Sequence, residues 1–166
     1  MPVHIFQVNE ANFEICRTRG LAGIFHTENG QTNDTLISHF ALMRIGDPVL
    51  FYVGKAKENT GASRKELHGV WRIASEPFYD TTPVWGEDQA YPYRVRVEEL
   101  DGAVFRTPIP LSEVYHLKDA GAVWTFSLMR NQRSVNAVFS MTDQEYRAIY
   151  DAFVKVNPDG ADASYL

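Results

Sequence analysis

The chain has 166 residues, 45% of them hydrophobic and 22% charged, and a net charge of -5. This is the arithmetic of one soluble globular domain with a core of ordinary size, which excludes disordered, collagenous and fibrous classes. The acidic balance also argues against a protein that coats nucleic acid through bulk electrostatics.

The charge is unevenly spread. From Thr142 to Leu166 stand Asp143, Glu145, Asp151, Asp159 and Asp162 against Arg147 and Lys155, so this stretch carries -3 of the -5. Elsewhere Lys55, Lys57, Arg64 and Lys65 crowd one segment, and Arg130 and Arg133 another. Each patch reads either as a solvated loop or as a surface for phosphates. No apolar run approaches the roughly 18 residues of a membrane helix, because Pro48 to Val53 is broken by Gly54, and no membrane partner is expected. Met1 to Val8 lacks the basic start and long apolar stretch of a signal peptide. Cys16 is the single cysteine, so no internal disulfide forms and a reducing, cytoplasmic setting is expected.

Taken in order, VHIFQV reads as a strand, and Asn9 caps a helix with Phe13 and Cys16 on its inner face. Gly20 suits its stop. Gly23 to Phe25 is a short extended piece, His26 to Asp34 a polar loop, and Leu36 to Met43 a second short helix. After the Gly46-Asp47-Pro48 turn, Val49 to Val53 and His68 to Ser75 form a hairpin with a long tip, Gly54 to Lys65. Glu76 to Ala90 is an irregular loop rich in rings that must pack on something. Tyr93, Val95 and Val97 alternate with Arg94 and Arg96, the period of a strand with one buried face, and Ala103 to Thr107 is expected to pair with it. Thr142 and Glu145 form a capping box ahead of the apolar face Tyr146, Ile149, Tyr150, Phe153 and Val154. Asn157 to Leu166 is polar and rich in small residues. About six short strands with helices at the two ends predict an α+β domain over residues 1–157, built round a small curved sheet or barrel and followed by a polar tail or linker start at 158–166.

The usual catalytic signatures are missing. Gly54-Lys55 lacks the spacing of a phosphate-binding loop, and no G-x-G-x-x-G follows a strand. His4, His26, His39, His68 and His116 are scattered without zinc-ligand spacing, so neither a metal ion nor a cofactor is expected. Cys16, on an inner helix face, reads as an unreactive buried thiol. What remains is aromatic: Phe25, Phe78, Tyr79, Trp85 and Tyr91 fall at loop or strand-end positions, where rings suit either an extension of the core or the walls of a pocket for a flat base.

Val8-Asn9-Glu10-Ala11-Asn12-Phe13-Glu14 resembles the start of EVE domains, members of the PUA-like superfamily related to the YTH readers. Four further stretches agree in order: Gly23-Ile24-Phe25; Met43-Arg44-Ile45-Gly46-Asp47 with Leu50-Phe51-Tyr52; His68-Gly69-Val70-Trp71 through Glu76-Pro77-Phe78-Tyr79-Asp80; and Tyr91-Pro92-Tyr93-Arg94-Val95. The resemblance implies a PUA-like barrel flanked by helices, with an aromatic pocket for a flipped or single-stranded modified base. Phe25 falls where YTH readers place the first cage tryptophan, and Trp85 lies in the loop that supplies the second. Asn12 matches the helix asparagine that faces the base, and the backbone beside His26 matches the strand that reads its edge. Ser38 stands where the family often has Asn. Phe78, Tyr79 and Tyr91 complete the expected pocket, and Lys55, Lys57, Arg64, Lys65, Arg130 and Arg133 the expected phosphate contacts.

Asn12 also has a plain reading as a helix-start side chain bonding local backbone, and Trp85 one as a loop anchor. The function expected is that of a non-enzymatic reader of a modified base, in DNA ahead of RNA, with N6-methyladenine first and 5-methylcytosine or 5-hydroxymethylcytosine next. Such a reader would serve as the recognition module of a modification-dependent restriction system, with further domains in a longer chain. The alternative is a module that binds a small nucleotide or metabolite, or an accessory domain of an enzyme.

Overall fold

Asn9 ends one element and starts the next: its side chain accepts the backbone N–H of Asn12 at 2.7 Å, turning strand β1 (Val3–Asn9) into helix α1 (Glu10–Arg19). Gly20 closes α1 in the left-handed conformation, φ +64°, as the sequence predicts. The computed structural model describes residues 2–24, 27–28, 31–32, 34–55, 65–85, 91–100, 106–124 and 137–158. Further along lie β2 (Leu21–Ile24), the short pair β3 (Thr27–Glu28) and β4 (Gln31–Thr32), α2 (Asp34–Ala41), β5 (Pro48–Lys55), β6 (Glu66–Ile73) and β7 (Phe78–Tyr79). They are followed by β8 (Tyr93–Glu99), β9 (Ile109–Pro110), α3 (Leu111–Asp119), β10 (Ala137–Met141) and α4 (Asp143–Val156).

The main sheet runs β10-β1-β5-β6-β8-β2, with β9 beside β6 and β7 beside β8. β1 is parallel to β5, with Phe6 opposite Phe51, and antiparallel to β10, with Val3 opposite Met141. β5 and β6 form the expected antiparallel hairpin. Among the described residues the two ends of this path are not paired with each other, so the expected small barrel takes the form of an open mixed sheet. The fold is α+β, with ten strands among the described residues where about six were expected, because several are only two residues long.

Both faces of the sheet centre are covered. Phe13 of α1 packs on Phe51 and Trp71, with ring centroids 5.6 and 5.9 Å apart. On the opposite face Phe153 of α4 reaches Gly69, where an added Cβ would lie 2.9 Å from its ring and from Leu50. That double cover explains why Val49 to Phe51 form a continuous buried run instead of an alternating one. At α4 the capping box is present, and buried Glu145 also accepts the backbone N–H of Trp124 at 2.9 Å.

Several expectations are corrected. The polar loop at 26–34 contains β3 and β4, and the irregular stretch 76–90 contains β7, which pairs with β8. α2 begins at Asp34 and ends at Ala41, two residues earlier than the pattern of its apolar positions predicts. The partners of β8 are β2, β6 and β7; most of Ala103 to Thr107, the expected partner, lies outside the described residues. Arg94 does not share the solvent face with exposed Arg96 but is buried.

The Gly46 turn is fastened by a buried pair. The Asp47 carboxylate accepts the Arg44 backbone N–H at 2.9 Å and the His4 Nε2–H at 2.8 Å. His4 Nδ1 has no partner among the described residues, which suits a neutral ring whose second nitrogen carries no proton. Burial holds the His4 pKa below its usual 6.5, with the Asp47 carboxylate opposing. The unfolded chain therefore binds a proton before the folded one does. Stability is expected to be full above about pH 6.5 and to fall as the pH drops below that value. Thermal melts between pH 7.5 and 5 should show this fall, and His4→Gln, whose amide can donate to the same carboxylate, should flatten it; identical profiles would refute the assignment.

Candidate base-binding site

Trp85 is the centre of the cluster that the fold builds at the inner side of α1. Its indole is 4% exposed, and its Nε1–H donates to the Cys16 sulfur at 3.4 Å. The strand beneath supplies no side chain: a Cβ on Gly23 would lie 2.8 Å from Trp85 Cη2 and 3.0 Å from the Tyr91 carbonyl oxygen. The Tyr91 ring meets the indole edge to face, with centroids 5.5 Å apart, and the Arg94 guanidinium lies 5.1 Å from the indole centroid.

Asn12 completes the cluster. It is 2% exposed, and its side chain hydrogen-bonds the Tyr91 phenol. Burial pushes the Tyr91 pKa up, and the bond from Asn12 works against that rise. The Cys16 thiol, fully enclosed, is pushed up to about 12, so it stays protonated and serves as an acceptor, not as a nucleophile.

A second aromatic group sits on β7 and β8. Tyr79 is 61% exposed and meets Tyr93 edge to face at 5.3 Å, and Tyr93 meets buried Phe40 at 5.9 Å. Half-buried Phe78 lies under the Arg96 guanidinium, 5.9 Å from its ring centroid. Of the residues expected in one pocket, the structure thus brings Asn12, Trp85 and Tyr91 together and places Phe78 and Tyr79 in this neighbouring group.

Ser38 is exposed on α2, and Lys65 is exposed at the start of the chain into β6, where its carbonyl accepts the Leu111 N–H. Phe25, His26, Lys57, Arg64, Arg130 and Arg133, and the side chain of Lys55, lie outside the described residues. Sequence reasoning missed Arg94 and the seat at Gly23. An arginine between two apolar strand positions signals solvent, and only the local cover of Asp80, Thr82 and Trp85 over Arg94 reverses that.

The packing changes what loss of Trp85 does. Positional reasoning predicts that Trp85→Ala spares folding, whereas an indole held on four sides gives a cost of about 3–5 kcal/mol. Gly23→Ala must push the indole off the strand and should cost about 1–3 kcal/mol. Denaturant titrations check both values, and a Gly23→Ala protein as stable as the parent would show that Trp85 is not seated on β2.

The model of the EVE domain family matches residues 4–152. No curated protein sequence matches the chain. Similar solved structures include a Pseudomonas putida protein, with TM-score 0.58, 15% identity and coverage of 91% of this chain and 99% of that one. An Agrobacterium tumefaciens protein has TM-score 0.55 and 19% identity, covering 97% and 94%. Human THYN1 protein, solved in complex with DNA containing 5-methylcytosine, has TM-score 0.59 and 14% identity, covering 92% and 98%. With the family model spanning nearly the whole chain and the α+β sheet in place, this protein belongs to the EVE domain family.

Proposed function

We propose that the protein is a non-enzymatic reader that binds nucleic acid and holds a modified base at the Asn12, Tyr91 and Trp85 cluster. The observation that carries the reading is the meeting, at one place, of a buried amide from α1 with two rings from a stretch far along the chain. An amide supplies the donor and acceptor that a base edge needs, while rings supply the apolar faces that a methyl group fills. Trp85 acts in this reading as the back wall, because the face toward Arg94 is already occupied. The inert Cys16 thiol favours binding over nucleophilic chemistry.

The base is proposed to be 5-methylcytosine in DNA. Sequence reasoning ranks N6-methyladenine ahead of it, but the DNA in the THYN1 complex carries 5-methylcytosine, and both proteins share the fold over more than nine-tenths of this chain. Oligonucleotides with 5-methylcytosine, 5-hydroxymethylcytosine, N6-methyladenine or no modification, single and double stranded, are compared by fluorescence anisotropy at one stated salt concentration. The 5-methylcytosine strand should bind about 1–3 kcal/mol more tightly than its unmodified match, from apolar burial of one methyl and its contacts. Equal affinities across the panel would overturn the reading.

Tyr79 offers a separate test, because its ring is exposed at the neighbouring aromatic group. Tyr79→Ala is expected to weaken oligonucleotide binding by about 1–3 kcal/mol through lost stacking while leaving the melting temperature within a few degrees of the parent. Undiminished binding would remove Tyr79 from the nucleic-acid surface.

A further inference from the structure

Arg94 is 1% exposed, on a strand position where a leucine or methionine would fill the same space without taking a charge out of water. The groups that meet its guanidinium lie on both sides of Trp85 in the chain. Nε donates to the Tyr91 carbonyl at 3.0 Å, Nη2 donates to the Thr82 carbonyl, and Nη1 stands 3.6 Å from Asp80 Oδ2. The same plane covers the Trp85 indole at 5.1 Å. Asp80 is itself fixed to this stretch, since its Oδ1 accepts the Thr82 backbone N–H at 2.8 Å. A rigid planar fork with five donors can hold two carbonyls and a ring face at once, which a lysine, as a point charge on a flexible stem, does not.

We infer that Arg94 is a positioning residue of the base-binding site: by holding the carbonyls of Thr82 and Tyr91 and capping the indole between them, it sets the pose of Trp85 and Tyr91 on which discrimination between modified and unmodified bases depends. The guanidinium acts on the base only through these rings. The inference rests on the proposed reader function for its binding consequence. Its structural half, the seating of Trp85, stands on the geometry alone.

The test has two arms on the same proteins, labelled with 5-fluorotryptophan, in which Trp71, Trp85 and Trp124 give three fluorine resonances and Trp85→Phe assigns one of them. In the first arm, Arg94→Lys and Arg94→Met are expected to shift or broaden the Trp85 resonance while those of Trp71 and Trp124 stay in place. In the second, the ratio of affinities for 5-methylcytosine and unmodified oligonucleotides is expected to fall at least fivefold toward unity, with binding to the unmodified strand changed less than twofold. Asp80→Ala, at a partly exposed position, loosens the same hold without removing the buried charge, and should move both readouts less and in the same direction.

A Trp85 resonance unmoved by Arg94→Met overturns the inference, as does a selectivity ratio that persists after the resonance has moved. If Arg94→Met fails to fold, Asp80→Ala decides: an unmoved Trp85 signal again overturns it. Should the parent show no preference for any modified strand, the reader function fails and the inference about selectivity fails with it, while the fluorine arm still decides whether Arg94 seats Trp85.

Discussion

A ring can press against a strand's backbone this closely only where the strand carries no side chain, and this steric constraint organises the molecule at two points. At Gly69 it lets Phe153 of the closing helix reach the sheet centre beside Leu50. At Gly23 it lets the Trp85 indole rest on β2, where it meets Cys16 of α1 while Tyr91 meets Asn12. The first contact seals the core. The second turns an edge of the same sheet into a site, because everything that gathers there does so round an indole that a single methyl group on β2 would displace.

Four of the buried polar side chains share one task, which is to hold backbone outside the strand ladders. Arg94 takes the carbonyls of Thr82 and Tyr91, Glu145 the N–H groups of Trp124 and Thr142, and Asp47 the N–H of Arg44. Asn157 bonds both the N–H and the carbonyl of Thr107, as a neighbouring strand would, at 2.8 and 2.9 Å. Irregular segments must satisfy their peptide groups somewhere, and leaving one buried donor or acceptor unmet costs roughly 1–3 kcal/mol. Side chains thus do for the connections what the strands do for each other.

The elements legible in the sequence are those with local signals. Asn9 as cap, Gly20 as stop, the hairpin across β5 and β6, and the Thr142 and Glu145 box each depend on a few neighbouring residues. Helix α3 was not legible, because its cap is Pro110, whose side chain makes no capping bond. The parallel pairing of β1 with β5 and the buried role of Arg94 are long-range facts, set by what packs on each face. At the site, loop position singled out Trp85 and Tyr91 as rings in need of cover, and the resemblance singled out Asn12. Neither signal separates them from Phe78 and Tyr79, since the division into an enclosed cluster and an exposed group depends on β7 pairing with β8.

The place of β1 in the sheet also governs the order in which the molecule can be completed. Its two neighbours are β5, reached by residue 55, and β10, which begins at Ala137. During synthesis the N-terminal strand therefore waits, with one hydrogen-bonding edge open, until most of the chain has left the ribosome. Non-local pairing of this kind is slow to form, and an open apolar edge is a template for pairing with other chains. A nascent chain halted before Ala137 would leave the β1 edge beside Ile5 and Phe6 without its β10 partner, so the template for mispairing persists from the synthesis of β5 until that of β10.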